Sequence, residues 1–69
     1  MNKYIITFCV GIDEISKTTN GTLEDAKDFA KRSANWPLEF LSRYDLMEVF
    51  IFDAEDSDNA LVYYSYDEL

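Results

Sequence analysis

Leu46-Met47-Glu48-Val49-Phe50-Ile51-Phe52, then Asp53-Ala54-Glu55-Asp56-Ser57-Asp58-Asn59, then Ala60-Leu61-Val62-Tyr63-Tyr64-Ser65-Tyr66 is the stretch that decides the fold class. Its two flanks are rich in β-branched and aromatic residues and the middle is turn formers and charge, which predicts a β-hairpin with its loop over residues 53–59. Successive strand side chains point to opposite faces. Met47, Val49 and Ile51 therefore share one face and Leu46, Phe50 and Phe52 the other, while Leu61 and Tyr63 oppose Val62, Tyr64 and Tyr66. Both faces of the hairpin are apolar.

Working outward, Tyr4-Ile5-Ile6-Thr7-Phe8-Cys9-Val10 before Gly11 reads as a strand buried on both faces. Residues 12–21 contain turn formers without a sustained period and are expected to form a loop, with Ile12 and Ile15 extending a strand or packing beneath it. Thr22-Leu23-Glu24-Asp25 resembles a capping box and opens a helix, with Glu24, Asp25 and Asp28 near its positive end. Leu23, Ala26 and Ala30 form one stripe with Phe29 at its edge; Lys27, Lys31 and Arg32 lie towards water, within a turn of carboxylate partners. Asn35-Trp36-Pro37 stops this helix, and Pro37 can begin a short second one through Leu38-Glu39-Phe40-Leu41.

The expected architecture is α+β: one 69-residue domain, a two-layer β-α-β-β unit with a three-stranded sheet and one amphipathic helix on one face. The usual right-handed crossover would set the first strand parallel to a hairpin strand. One helix covers one face of such a sheet. The second face is then either covered by residues 36–44 or left open to a partner.

The 14 acidic and 6 basic residues give a net charge of −8, unevenly placed. Residues 1–44 carry six acids and all six bases and sum to zero; residues 45–69 carry Asp45, Glu48, Asp53, Glu55, Asp56, Asp58, Asp67 and Glu68 and no base. The aromatic residues Tyr63, Tyr64, Tyr66, Phe50 and Phe52 suggest a base-stacking platform, but such platforms sit in positive grooves, and phosphate would be repelled here. The opposite reading fits the charge. Asp45, Glu48, Asp53, Glu55, Asp56, Asp58 and Asp67, with Tyr63, Tyr64 and Tyr66, could engage the Lys/Arg-lined surface of a nucleic-acid-handling protein, in the manner of a DNA mimic. The plain alternative is that the acidity only confers solubility.

Catalysis is not expected. The chain has no histidine, the commonest general base, and its single Cys9 can build neither an intramolecular disulfide nor a structural zinc site. Cys9 within an apolar strand reads as an inert thiol. Asp53 onward does not fit a calcium loop, lacking the central glycine and carrying Tyr64 where the bidentate glutamate belongs. No metal or other cofactor is expected. Tyr4 to Val10 is too short to span a bilayer and lacks the cleavage-site pattern of a signal peptide. The ending Tyr66-Asp67-Glu68-Leu69 departs from an ER-retention tail at its first residue, and Asn20-Gly21-Thr22, a glycosylation sequon in form, is better explained by helix capping. A cytoplasmic location is the expectation.

The order of first strand, Thr22-Leu23-Glu24-Asp25-Ala26-Lys27 helix opening, and Val49-Phe50-Ile51-Phe52-Asp53 with Leu61-Val62-Tyr63-Tyr64 as a hairpin resembles small phage and mobile-element proteins, some of them anti-CRISPR inhibitors. The resemblance covers about two thirds of the chain and implies a stoichiometric inhibitor that blocks nucleic-acid access to a bacterial defence complex. These inhibitors share no motif, so it assigns no residue a role. A self-associating structural or regulatory domain, dimerising through an exposed sheet face, is the alternative.

Overall fold

In the computed structural model, which describes residues 2–69, Gly11 changes the topology expected from the sequence. Strand β1 (Asn2–Val10) ends at a two-residue turn, Gly11-Ile12, and β2 (Asp13–Gly21) returns beside it in full antiparallel register, from Asn2 opposite Gly21 to Val10 opposite Asp13. Gly11 takes φ +61°, the conformation a tight hairpin turn requires at its first central position. Residues 12–21 are thus mostly strand rather than loop.

That extra strand reverses the polarity expected for the rest. β2 brings the chain back to the end of the sheet where β1 began, α1 (Leu23–Lys31) crosses to the far end, and β3 (Glu48–Asp53) runs down antiparallel to β1. β4 (Asp56–Ser65) completes the hairpin. The sheet is four-stranded and wholly antiparallel, in the order β2-β1-β3-β4, in place of a three-stranded sheet with a parallel pair. The α+β class holds.

The hairpin loop is also shorter than its charge suggests. Only Ala54 and Glu55 form the turn, and β4 already begins at Asp56. The surplus residues enter an irregular stretch: Ile51 faces Val62, Phe52 faces Ala60 and Asp53 faces Asp56, so Leu61 and residues 57–59 have no partner on β3.

The helix starts as its capping box dictates. Asp25 N–H donates to Thr22 Oγ1 at 3.2 Å, and Thr22 N–H donates to Asp25 Oδ2 at 2.9 Å. Ala26 and Ala30 are fully buried and let the helix lie close to the sheet, with Leu23 and Phe29 half-buried beside them. A single turn of 3-10 helix (Ser33–Asn35) follows, then a longer 3-10 helix (Leu38–Leu46) kinked at Arg43, with Pro37 just before its first residue.

One core forms from the strand residues of a single sheet face: Tyr4, Ile6, Phe8 and Val10 of β1, Val49 and Ile51 of β3, with Ala26, Ala30, Trp36, Phe40 and Met47 above them. Trp36 is a core residue. Its Nε1 donates to Ala30 O at 2.8 Å, and its ring meets Tyr44 and Tyr66 edge-on at 5.1 and 5.7 Å. The segment after α1 therefore thickens the layer the helix already makes. The other sheet face receives no covering element among the described residues, which resolves the choice the sequence left open.

Candidate functional site: the open sheet face and the acidic hairpin

The strand registers order the uncovered face in rows. At one end Glu14, Cys9, Glu48 and Ser65 lie side by side across β2, β1, β3 and β4. The next row is Ser16, Thr7, Phe50 and Tyr63, and the third is Thr18, Ile5, Phe52 and Ala60. The face thus grades from a carboxylate end into an aromatic and aliphatic middle.

On the β3 and β4 side the middle rows are apolar without being closed, while β2 contributes hydroxyls. Phe50 packs on Phe52 with ring centroids at 6.3 Å and against Tyr63 at 5.1 Å. Tyr63 remains 46% exposed and Leu61 51% exposed, values high enough for direct contact with a partner. Thr7, in the middle of the sheet, shares a 3.0 Å hydrogen bond with Ser16. The only basic side chain that register places on this face is Lys3, opposite Asn20 and beside the hairpin turn through its carbonyl, which accepts from Ala54 N–H.

Among the sequence-predicted contact residues, the tyrosines separate. Tyr63 lies on the open face, and its hydroxyl donates to Glu48. Tyr64 and Tyr66 belong to the helix side, packed against the core; Lys31 Nζ stands 5.1 Å from the Tyr64 ring centroid. A continuous tyrosine platform is therefore not what the hairpin presents.

The carboxylates also separate, into two poles. Asp53, Glu55, Asp56 and Asp58 cluster at the hairpin turn, where Asp53 Oδ1 accepts from Glu55 N–H at 2.8 Å. Asp45, Glu48, Asp67 and Glu68 lie at the opposite end, where Glu68 Oε1 accepts from Ser65 N–H and Oγ at 3.2 and 3.0 Å. Glu48 and Ser65 are paired at one end of the ladder and Asp53 and Asp56 at the other. Five strand steps put the poles about 17 Å apart. No basic residue intervenes on β3 or β4, and the salt bridges among the described residues, Lys27 to Glu24 and Arg43 to Asp13, involve none of these acids.

Cys9 lies between Glu14 and Glu48, half-buried. Burial, then the charge of Glu14 and of Glu48, pushes its thiol above the ordinary value of 9.0 and favours the unreactive protonated form. Among the described residues no group of acid, cysteine or histidine side chains has the arrangement of a metal site. A shallow depression of about 350 Å³ lies elsewhere, between α1 and β2, lined by Asp25, Asp28, Phe29, Arg32 and Asn35.

β1 and β2 also build this surface, bringing Glu14, Ser16 and Thr18 beside Cys9, Thr7 and Ile5, residues that the sequence alone did not mark for contact. The signal was Gly11 followed by nine residues before the next glycine, a hairpin turn and a polar edge strand. A second exposed aliphatic set, Ile12, Leu38, Leu41 and Leu46, lies outside the open face. No helix is long and apolar enough to cross a membrane among the described residues. In comparisons with known proteins, no family model, no curated sequence and no solved structure matches the chain.

Proposed function

We propose that the chain is a non-enzymatic, cytoplasmic binding protein whose acidic hairpin occupies a basic, nucleic-acid-binding surface of a partner protein and blocks it, as phage-type inhibitors and DNA mimics do. The observation that carries this reading is the uncovered sheet face, with Phe50, Phe52, Leu61 and Tyr63 exposed or half-buried and carboxylates at both ends of its hairpin. Apolar area supplies affinity, and flanking charge steers a cationic surface onto it. The protein needs no direct contact with nucleic acid for this.

The test is capture of a bacterial nucleic-acid-binding protein on the immobilised chain, followed by competition. Retention should fall with added salt, with added duplex DNA, and on replacing Glu55, Asp56 and Asp58 together with Lys. Unchanged retention by the triple variant would overturn the reading.

The same uncovered apolar residues favour a second reading, a homodimer formed through the open face. Sedimentation as a monomer at high micromolar concentration would remove it.

A further inference from the structure

We infer that the outer edge of β4 takes up an extended, basic segment of the partner as a fifth strand of the sheet, an inference that rests on the basic-partner reading and specifies how the contact is made. The two edges of this sheet differ. On β2, Lys17 points to the core side opposite fully buried Ile6, its ammonium donating to the carbonyl of Asn35, and α1 packs over the strand. An inward-pointing charge and a covering helix are how proteins close an edge to strand addition.

β4 has no inward-pointing charge and no covering helix along its central part; its register shifts lie at and before Leu61 and leave Val62–Ser65 in unbroken pairing with β3. Residues 60–65 contain no charge and no proline; all but Leu61 pair with β3, the only strand beside them among the described residues. Their outward backbone N–H and C=O groups form a template for strand addition. On either side of the new ladder, alternate side chains of the added strand would meet Ala60 and Tyr63 on the open face and Val62 and Tyr64 on the helix face.

Charge selects the occupant. This uncharged edge runs between the two acidic poles, so an extended segment of six to eight residues with Lys or Arg at its ends reaches both. A second copy is disfavoured at this edge: each copy carries −8, and antiparallel β4 pairing would bring the acidic turn of one copy towards the acidic C-terminal end of the other.

The experiment is amide hydrogen exchange by NMR on the intact protein with the peptide Lys-Arg-Val-Thr-Val-Thr-Arg-Lys, capped at both ends. Alongside it run the same peptide N-methylated at all four central residues, which blocks both of its edges, and a third with Glu at the four basic positions. Outward amides among residues 60–65 should exchange at least tenfold more slowly with the first peptide and be unaffected by the N-methylated one. Equal binding by the N-methylated peptide, or binding without slowed β4 exchange, overturns strand addition while leaving the acidic-surface reading intact. Equal protection by the Glu peptide upholds strand addition and overturns the basic-partner reading. Concentration-dependent protection without peptide assigns the edge to a second copy and overturns the inference, as does failure of all three peptides to bind.

Discussion

The hydroxyl of Tyr63 on β4 donates to a carboxylate oxygen of Glu48 on β3, diagonally across the hairpin and on the open face. The phenol's proton is what the carboxylate holds, so this hydrogen bond, followed by lost hydration and the charges of Glu48 and Glu68, raises Tyr63 above the ordinary value of 10.0. The contribution of this pair is therefore present below pH 10 and is lost as pH rises through the raised value. In an NMR titration Tyr63 should ionise above pH 10, and Glu48→Gln should bring its midpoint back towards 10. A midpoint unmoved by Glu48→Gln would contradict the assignment.

Cys9 should resist thiol reagents. With its thiol held protonated by burial and two flanking carboxylates, reaction with a disulfide reagent at pH 8 should be on the order of tenfold slower than for a free cysteine peptide. Replacing Glu14 and Glu48 together with Gln should accelerate it without reaching the free rate, because burial is the larger cause. A native-state rate equal to that of the urea-unfolded chain would contradict this.

Trp36→Phe should retain much of the aromatic packing on Tyr44 and Tyr66 but leave the buried contact to Ala30 O without its donor. The expected cost is about 1–3 kcal/mol. Urea unfolding followed by circular dichroism measures it, since Trp36 is the only tryptophan and fluorescence would be lost with it.

The entry to α1 should be sensitive at two adjacent positions. Thr22→Ala removes the oxygen that accepts from Asp25 N–H and should cost about 1 kcal/mol. Gly21→Ala should cost more than Gly11→Ala. At Gly21, φ is +139° and a Cβ would stand 2.4 Å from Asp25 Oδ2, the other half of the cap, whereas at Gly11 a Cβ meets nothing within 4 Å. Equal melting temperatures for the two alanine variants would show that the cap contributes little.

What the sequence determined alone is local. From Val49 onward the apolar alternation of β3 and β4 set which residues share a face, whereas Leu46, assigned by the same alternation to the open face, ends the 3-10 helix instead; Thr22 with Asp25 set where the helix begins. These features arise from strand and helix periods and from contacts within four residues, so a linear reading recovers them. The surplus of negative charge after Tyr44 was equally visible. What tertiary structure decided is where those pieces meet. β2 is mostly polar because an edge strand needs only backbone pairing and one half-covered face, so Ile15, packed against the core, is its one apolar strand residue and too little for a period; yet it reverses the direction of everything after it. The side on which Trp36 and Phe40 fold is likewise a packing outcome, and it is what leaves Phe50, Phe52, Leu61 and Tyr63 uncovered. Pairing Glu48 with Ser65 and Asp53 with Asp56 then draws one acidic stretch of sequence out into two poles with an uncharged edge between them.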